Sequence, residues 1–138
     1  MNKMERGKFK LNIVGDKSGD QKTYNILIES IKNNDLSENA LLLDPSKNIE
    51  KLYKNFDLFI LTSYYEGCPN VIMEAMLSKC ICIISRNSNY DRFIIDSYNG
   101  YEYDGTDSDL IKKINKFLDL DLDSKEKMIN SAIDYVKS

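Results

Sequence analysis

Two carboxylates with seven residues between them, Glu66 and Glu74, are the strongest chemical signal in the sequence. Pro69 lies between them and suits the first position of a helix, because its missing N–H would have no partner there and its φ is already helical. Glu66 is therefore expected just before the helix, and Glu74 roughly 7–8 Å along the helix axis from Pro69. This spacing suits a phosphate-bearing ligand over the helix N-terminus, flanked by hydroxyl-rich groups. Two solvated glutamates are the alternative interpretation.

Other catalytic chemistries find little support. The sequence contains no histidine, which excludes Ser-His and Cys-His catalysis within the chain. Cys80 and Arg86 have the Cys-x5-Arg spacing of cysteine-dependent phosphatases, but the five residues between them form an apolar strand rather than the required glycine-rich loop. Cys80 and Cys82 are instead expected to be small core residues on one face, and Cys68 lacks a base that would activate it. Carboxylates are scattered, so neither a metal site nor another cofactor is expected.

Short apolar runs alternate with stretches of helical spacing throughout the chain. Strands that are apolar along their whole length imply parallel pairing with both faces buried, so the sequence predicts an α/β fold with a doubly wound parallel sheet. Ligands bind at the carboxyl ends of such strands, which marks the turns at 15–19, 63–70 and 85–91. Strands are predicted at 11–14, 40–43, 58–61, 81–84 and 100–103, and helices are predicted around Tyr24–Ile31, Ile49–Phe56, Pro69–Lys79, Leu110–Leu118 and Met128–Val136.

Composition narrows the class of protein. A length of 138 residues predicts a single domain, 1–138, with a substantial core. The net charge of −3, with both signs interspersed, argues against nucleic acid as a partner. No apolar run approaches a membrane span, and the first residues lack the apolar core of a signal peptide. A cytoplasmic protein with reduced thiols is therefore expected.

Several of these stretches together match one known family. They are 11–16, 48–53 leading into 57–63, the segment 66–76 with both glutamates, and Asn99-Gly100-Tyr101 near the end. In these stretches the chain resembles the C-terminal domain of retaining GT-B glycosyltransferases of group 1 (family 4). That domain is the Rossmann-like half of a GT-B fold and binds the nucleotide-sugar donor.

The resemblance implies separate roles for the two carboxylates. Glu66 would be catalytic, facing the transferred sugar and stabilising positive charge at its anomeric carbon, and Glu74 would bind the ribose hydroxyls. Backbone N–H groups at the helix N-terminus would hold the diphosphate, with basic side chains rather than a divalent metal assisting. Besides Glu74, the residues expected to contact the donor are Gly67, Cys68, Pro69, Asn70, Val71, Gly15, Lys17 and Arg86.

The implied activity is transfer of a hexose-type sugar, with retention, from a UDP- or GDP-sugar to a glycan or lipid-linked acceptor. Surface polysaccharide or glycolipid synthesis is the expected setting. The implied partners are the nucleotide-sugar and either a separate acceptor-domain chain or a second copy of this chain. The alternative function is a non-catalytic nucleotide-sugar-binding domain or a truncated remnant.

The chain also departs from the family pattern. By comparison with the family pattern, we expect the sheet to lack the family's first strand, with its Gly-Arg motif and diphosphate-binding lysine. An uncovered sheet edge would favour pairing with another chain. Lys79 and Ile81 stand where the family has glycine and proline, and 88–92 replaces a Gly-Gly-x-Pro-Glu loop. Lys17 and Arg86 lie in turns at the ligand edge, where they would either supply the missing positive charge or be ordinary surface charges.

Overall fold

A computed structural model describes residues 9–15, 19–44, 49–63 and 70–138. The chain divides into two compact units, Met1–Lys47 and Asn48–Ser138. The predicted single domain over 1–138 stays a prediction, and each unit is described by itself. No helix in the described ranges is long and apolar enough to cross a membrane.

The first unit is a parallel strand pair with one connecting helix. Strand β1 (Leu11–Val14) pairs with β2 (Ala40–Leu43), and helix α1 (Gln21–Asn33) joins them. Asp20 caps α1, because its side chain accepts hydrogen bonds from the backbone N–H groups of residues 22 and 23. The cap explains why α1 begins three residues before the first apolar position of the predicted helix.

The second unit is built on a three-stranded parallel sheet in the order β3-β4-β5. Its elements are α2 (Ile49–Tyr53), β3 (Leu58–Leu61), α3 (Asn70–Leu77), β4 (Ile81–Ser85), a 3₁₀ turn (Arg86–Ser88), β5 (Tyr101–Tyr103), α4 (Asp107–Asp119) and α5 (Leu122–Lys137). Every residue of β4 is buried, as expected of a central strand covered on both faces.

Side chains alternate between the two faces of this sheet. Cys82 and Ile84 of β4 join one apolar cluster, which includes residues of α3. Ile81 and Ile83 join a second cluster with Tyr101, Tyr103 and residues of α4 and α5. Helices therefore cover both faces, and the predicted α/β architecture with parallel strands is confirmed.

Some element boundaries differ from the predictions. Helix α2 ends at Tyr53 rather than Phe56, because the chain tightens into i→i+3 hydrogen bonds, including one of 3.1 Å from Phe56 N to the carbonyl of Tyr53. Phe56 nevertheless packs against the core. Leu118, predicted to line α4, is 46% exposed.

The end of α3 keeps a glycine-like backbone without a glycine. Lys79 has φ of 67°, a left-handed conformation that costs a residue with a side chain some free energy. The N–H groups of Cys80 and Lys79 donate to the carbonyls of Ala75 (3.0 Å) and Met76 (3.1 Å), which is the hydrogen-bond pattern of a Schellman motif. The helix thus ends in a left-handed turn of the kind that glycine usually makes, with lysine in its place.

Candidate functional site

The structure describes half of the predicted site residues. Glu74, Asn70 and Val71 lie on α3, Arg86 follows β4, and Gly15 follows β1. Five predictions lie outside the described residues, and they are Glu66, Gly67, Cys68, Pro69 and Lys17.

Helix α3 begins after the carboxyl end of β3, where ligands bind in parallel sheets. Glu74 lies four residues into this helix, about 6 Å along its axis from Asn70. Its side chain is half-buried. Ile72, Ala75 and Met76 on the same helix are at most 2% exposed. The backbone that carries Glu74 is therefore held firmly against the core.

A buried tyrosine lies near this carboxylate. Tyr53 is 3% exposed, and its ring meets Phe59 edge-on at 5.6 Å between centroids. Burial raises the pKa of Tyr53 to about 12, and the negative charge of Glu74 adds to this effect. The phenol is therefore protonated at neutral pH and can only stabilise the carboxylate as a hydrogen-bond donor.

The two described cysteines are core residues, as predicted. Burial, followed by the charge of Asp57, raises the pKa of the Cys80 thiol to about 11. The pKa of Cys82 is also raised, chiefly by burial. A thiol that stays protonated is a poor nucleophile, so the structure gives no support to phosphatase chemistry at Cys80.

Arg86 is held by an acidic partner at the carboxyl ends of β4 and β5. Its Nε lies 3.1 Å from Glu102 Oε1, and the arginine side chain is 68% exposed. Asn89 donates from Nδ2 to the other oxygen of Glu102 at 2.7 Å. Because only Nε is used, the Nη groups have no partner among the described residues. Glu102 orients Arg86 and also neutralises part of its charge.

Two serine hydroxyls bind the carboxyl end of β3 to the turn after β4. Ser85 and Ser88 are 4% and 7% exposed. Both donate to the main-chain carbonyl of Ser63, over 2.9 and 2.7 Å. The ends of two neighbouring strands are thereby fixed to each other on the edge where α3 begins.

In the first unit, Gly15 lines a shallow pocket of about 190 Å³ beside the start of α1. A side chain at Gly15 would meet no described atom within 4 Å, so packing does not require glycine there. Asp20 accepts from the N–H groups of Lys22 (3.0 Å) and Thr23 (3.3 Å). Because this carboxylate occupies the helix N-terminus, those amides are not available to a phosphate.

Several residues of this network escaped the sequence analysis. Tyr53 fits the apolar face of a helix, so nothing in the pattern distinguishes its hydroxyl. Glu102 had a usable signal, since it alternates with Tyr101 and Tyr103 and must face the other side of β5. Among the described residues no three metal-binding side chains come together. The absence of a metal requirement stays a prediction.

Parts of the chain are similar in sequence to known glycosyltransferases. A segment of 67 residues is 43% identical to the amylovoran biosynthesis glycosyltransferase AmsD of Erwinia amylovora, covering 49% of this chain and 18% of that protein. A segment of 74 residues is 30% identical to the UDP-Gal:alpha-D-GlcNAc-diphosphoundecaprenol alpha-1,3-galactosyltransferase of Escherichia coli, covering 54% of this chain and 19% of that protein.

A solved structure shows the same fold over nearly the whole chain. HepE of Anabaena, crystallised with UDP and glucose, superposes with a TM-score of 0.83 at 23% identity over 93% of this chain and 35% of that one. The chain therefore spans about a third of this neighbour. The profile of the family "Glycosyl transferases group 1" matches residues 1–135. Fold and sequence agree, and the chain belongs to the group 1 glycosyltransferases, with the α/β architecture of the C-terminal half of a GT-B enzyme.

Proposed function

We propose that this chain is the nucleotide-sugar donor domain of a retaining hexosyltransferase. The observation that carries the proposal is Glu74, half-buried on the firmly packed helix that follows β3. A carboxylate has several acceptor positions and can accept both hydroxyls of a ribose. Family membership supports this role for Glu74 and a catalytic role for Glu66 at the transferred sugar.

UDP is the nucleotide best supported. The galactosyltransferase of Escherichia coli is named for UDP-Gal, and the Anabaena protein is crystallised with UDP and glucose. GDP-sugars are the second candidate. The N-terminal residues of α3, Asn70 and Val71, would bind the diphosphate with the preceding residues 67–69, and no metal would be required.

Arg86 is the described basic residue best suited to bind the diphosphate. Its Nη groups, which have no hydrogen-bond partner within the described ranges, could contact phosphate while Nε stays on Glu102. For Gly15, in the first unit, a donor contact stays a prediction from the family resemblance. Lys17 lies outside the described residues, so its contribution rests on the family resemblance alone.

The complete reaction would require an acceptor-binding domain. The proposed acceptor is a glycan or lipid-linked sugar in surface polysaccharide synthesis, which agrees with the amylovoran enzyme's name. An acceptor-domain chain or a second copy of this chain is the proposed partner, with the cytoplasm as the proposed location.

Calorimetric titration with UDP, GDP and ADP tests the donor site. We expect UDP to bind, and Glu74→Ala to weaken binding by more than about tenfold, because one hydrogen bond to a charged group is worth about that factor and the carboxylate would accept two. Glu126→Ala, an exposed glutamate on α5, is the control and should bind like the unaltered chain. Absence of UDP binding at millimolar concentration would refute the proposal.

Transfer assays with a supplied acceptor domain distinguish catalysis from simple binding. Glu66→Ala is expected to retain UDP binding and to lose sugar transfer. Binding of UDP-sugar by the unaltered chain without any transfer would favour the second candidate, a non-catalytic nucleotide-sugar-binding domain. This candidate is favoured by residues 88–92, which replace the family's Gly-Gly-x-Pro-Glu loop.

A further inference from the structure

The hydroxyl of Tyr53 stands out among the described buried polar side-chain atoms, because it alone has no hydrogen-bond partner. Buried polar groups are nearly always paired, and an unpaired one costs free energy that a phenylalanine would avoid. Tyr53 is 3% exposed, so bulk water does not replace the missing partner. An unpaired hydroxyl at this depth calls for an explanation.

The neighbouring groups leave one strong acceptor for this hydroxyl. The Cys80 thiol lies 3.3 Å from the carbonyls of Tyr53 and Phe56, and the Cys82 thiol lies 3.8 Å from the carbonyl of Cys80. Both thiol hydrogens are thus committed, and sulfur is a weak acceptor. Phe59 offers only a ring. Tyr53 packs in one cluster with Ala75 of α3, the residue after Glu74. The charge of Glu74 acts on the Tyr53 hydroxyl, and a carboxylate is the strongest acceptor among these groups.

We propose that Tyr53 is a positioning residue for Glu74: its hydroxyl donates to the Glu74 carboxylate when a nucleotide is bound and fixes the orientation of that carboxylate. This inference rests on the proposed function, in which Glu74 binds the ribose. A carboxylate can accept the phenol on its protein side and ribose hydroxyls on its other side.

The physical setting explains why the hydrogen bond would depend on the ligand. Glu74 is half-buried, so in the free protein water competes for its oxygens. A bound nucleoside would exclude that water and lower the local dielectric, which strengthens a hydrogen bond to a charged acceptor. The phenol already lies within a packed cluster, so little additional side-chain entropy is lost when it donates.

Tyr53→Phe separates this role from a structural one. The substitution removes the hydroxyl and leaves the ring that packs against Phe59. We expect UDP affinity, measured by calorimetry, to fall severalfold, less than in Glu74→Ala, because Glu74 remains but is less well oriented. The urea midpoint of unfolding should stay the same or rise, because an unpaired buried hydroxyl has been removed. A residue that only fills the core would not lower affinity while preserving stability.

Two further variants make the test specific. Tyr101→Phe is the matched control, since Tyr101 is also 3% exposed but packs in the cluster on the opposite face of the sheet. It should bind UDP like the unaltered chain. In a Glu74→Ala background, Tyr53→Phe should cause no further loss of affinity, because the acceptor is already gone.

The outcomes are distinguishable. Unchanged UDP affinity in Tyr53→Phe, beside a clear loss in Glu74→Ala, would overturn this inference and leave the proposed function intact. A loss that persists in the Glu74→Ala background would also overturn it, because the hydroxyl would then act elsewhere. If the unaltered chain binds no UDP, the proposed function fails and this inference fails with it.

Discussion

Lys113 on α4 donates a hydrogen bond from Nζ to Oδ2 of Asp96 over 2.8 Å, although the lysine is only 8% exposed. The Oδ1 atom of Asp96 accepts from the backbone N–H of Glu102 on β5, over 2.9 Å. One carboxylate thus joins a helix to the strand beneath it. Glu102 in turn holds Arg86 and Asn89, so the contact extends to the edge of the candidate site.

Lys113→Met should lower the free energy of unfolding by about 1–2 kcal/mol, because it removes a charged hydrogen bond while keeping the buried stem of the side chain. Urea denaturation measures the change. Lys127→Met is the control, since Lys127 pairs with Asp123 at 77% and 75% side-chain exposure. It should cost less than about 0.5 kcal/mol. An equal loss of stability in the two variants would show that the Lys113–Asp96 hydrogen bond contributes no more than an exposed ion pair.

The stability contributed by Asp96 should depend on pH in the acid range. Burial raises its pKa, but hydrogen bonds from Lys113 and from the N–H of Glu102 outweigh burial and hold it below the ordinary 3.8. A depressed carboxyl pKa stabilises the fold above the unfolded pKa, and this contribution is lost as pH falls through the folded pKa. Asp96→Asn should therefore be less stable than the unaltered chain at pH 6. The difference in stability should begin to narrow as pH falls below about 4 and should close as pH falls through the lowered pKa of Asp96. A difference in stability between the two proteins that does not change with pH would contradict this role of the Asp96 carboxylate.

Lys79→Gly should stabilise the protein by about 0.5–1 kcal/mol, because glycine adopts the left-handed conformation at φ of 67° without steric cost. Thermal unfolding monitors the change. Lys79→Ala removes the same charge but keeps a Cβ, so it should show no comparable gain. A gain of similar size in both variants would point to the charge rather than the backbone.

Gly100→Ala should destabilise the second unit by about 1–3 kcal/mol, the usual cost of overpacking. A Cβ at this position would lie 2.7 Å from the main-chain oxygen of Cys82 and 3.0 Å from Ile94. Gly105→Ala is the matched control, because Gly105 also has positive φ, 98°, but open space around it. Chemical denaturation should show the larger loss for Gly100→Ala.

Arg86→Ala tests whether the positive charge of Arg86 contributes to donor binding. We expect UDP affinity to fall severalfold, with a greater loss at low salt, because a partly neutralised arginine would still attract a diphosphate. Arg92→Ala serves as the control for a nearby exposed charge. Equal UDP affinity in Arg86→Ala and the unaltered chain would identify Arg86 as a surface charge paired with Glu102.

The fold could be predicted where one physical signal dominated. Four-residue apolar runs such as Leu58–Leu61 predict strands, and the bounds of this strand agree with the structure. The predicted full burial was wrong for it, because all four residues of β3 are half-buried. Contacts between side chains and the backbone of loops were harder to predict from the sequence. Nothing in the sequence indicates that Asn99, which is 1% exposed, binds the backbone at residues 93 and 95. The family resemblance marked Asn99 and Gly100, and the structure supplies their physical reason.

For the described candidate residues, the element that carries each one was predictable, but the contacts that support it were not. The carboxyl edge of the sheet follows from parallel strands, and Glu74 on α3 follows from helical spacing. Contacts between distant segments do not follow from either rule. The pairing of Arg86 with Glu102, sixteen residues later, depends on the register of β4 against β5, which a single sequence does not specify.

Helix α5 has a consequence for how the protein is made. Its residue Met128 belongs to the cluster on one face of the three-stranded sheet, and Ala132 belongs to the cluster on the other. Both faces of the three-stranded sheet are therefore completed by helix α5, Leu122–Lys137. During synthesis, the second unit cannot close its core until this helix has left the ribosome. Premature termination before Met128 would thus leave apolar surface uncovered on both faces of the sheet.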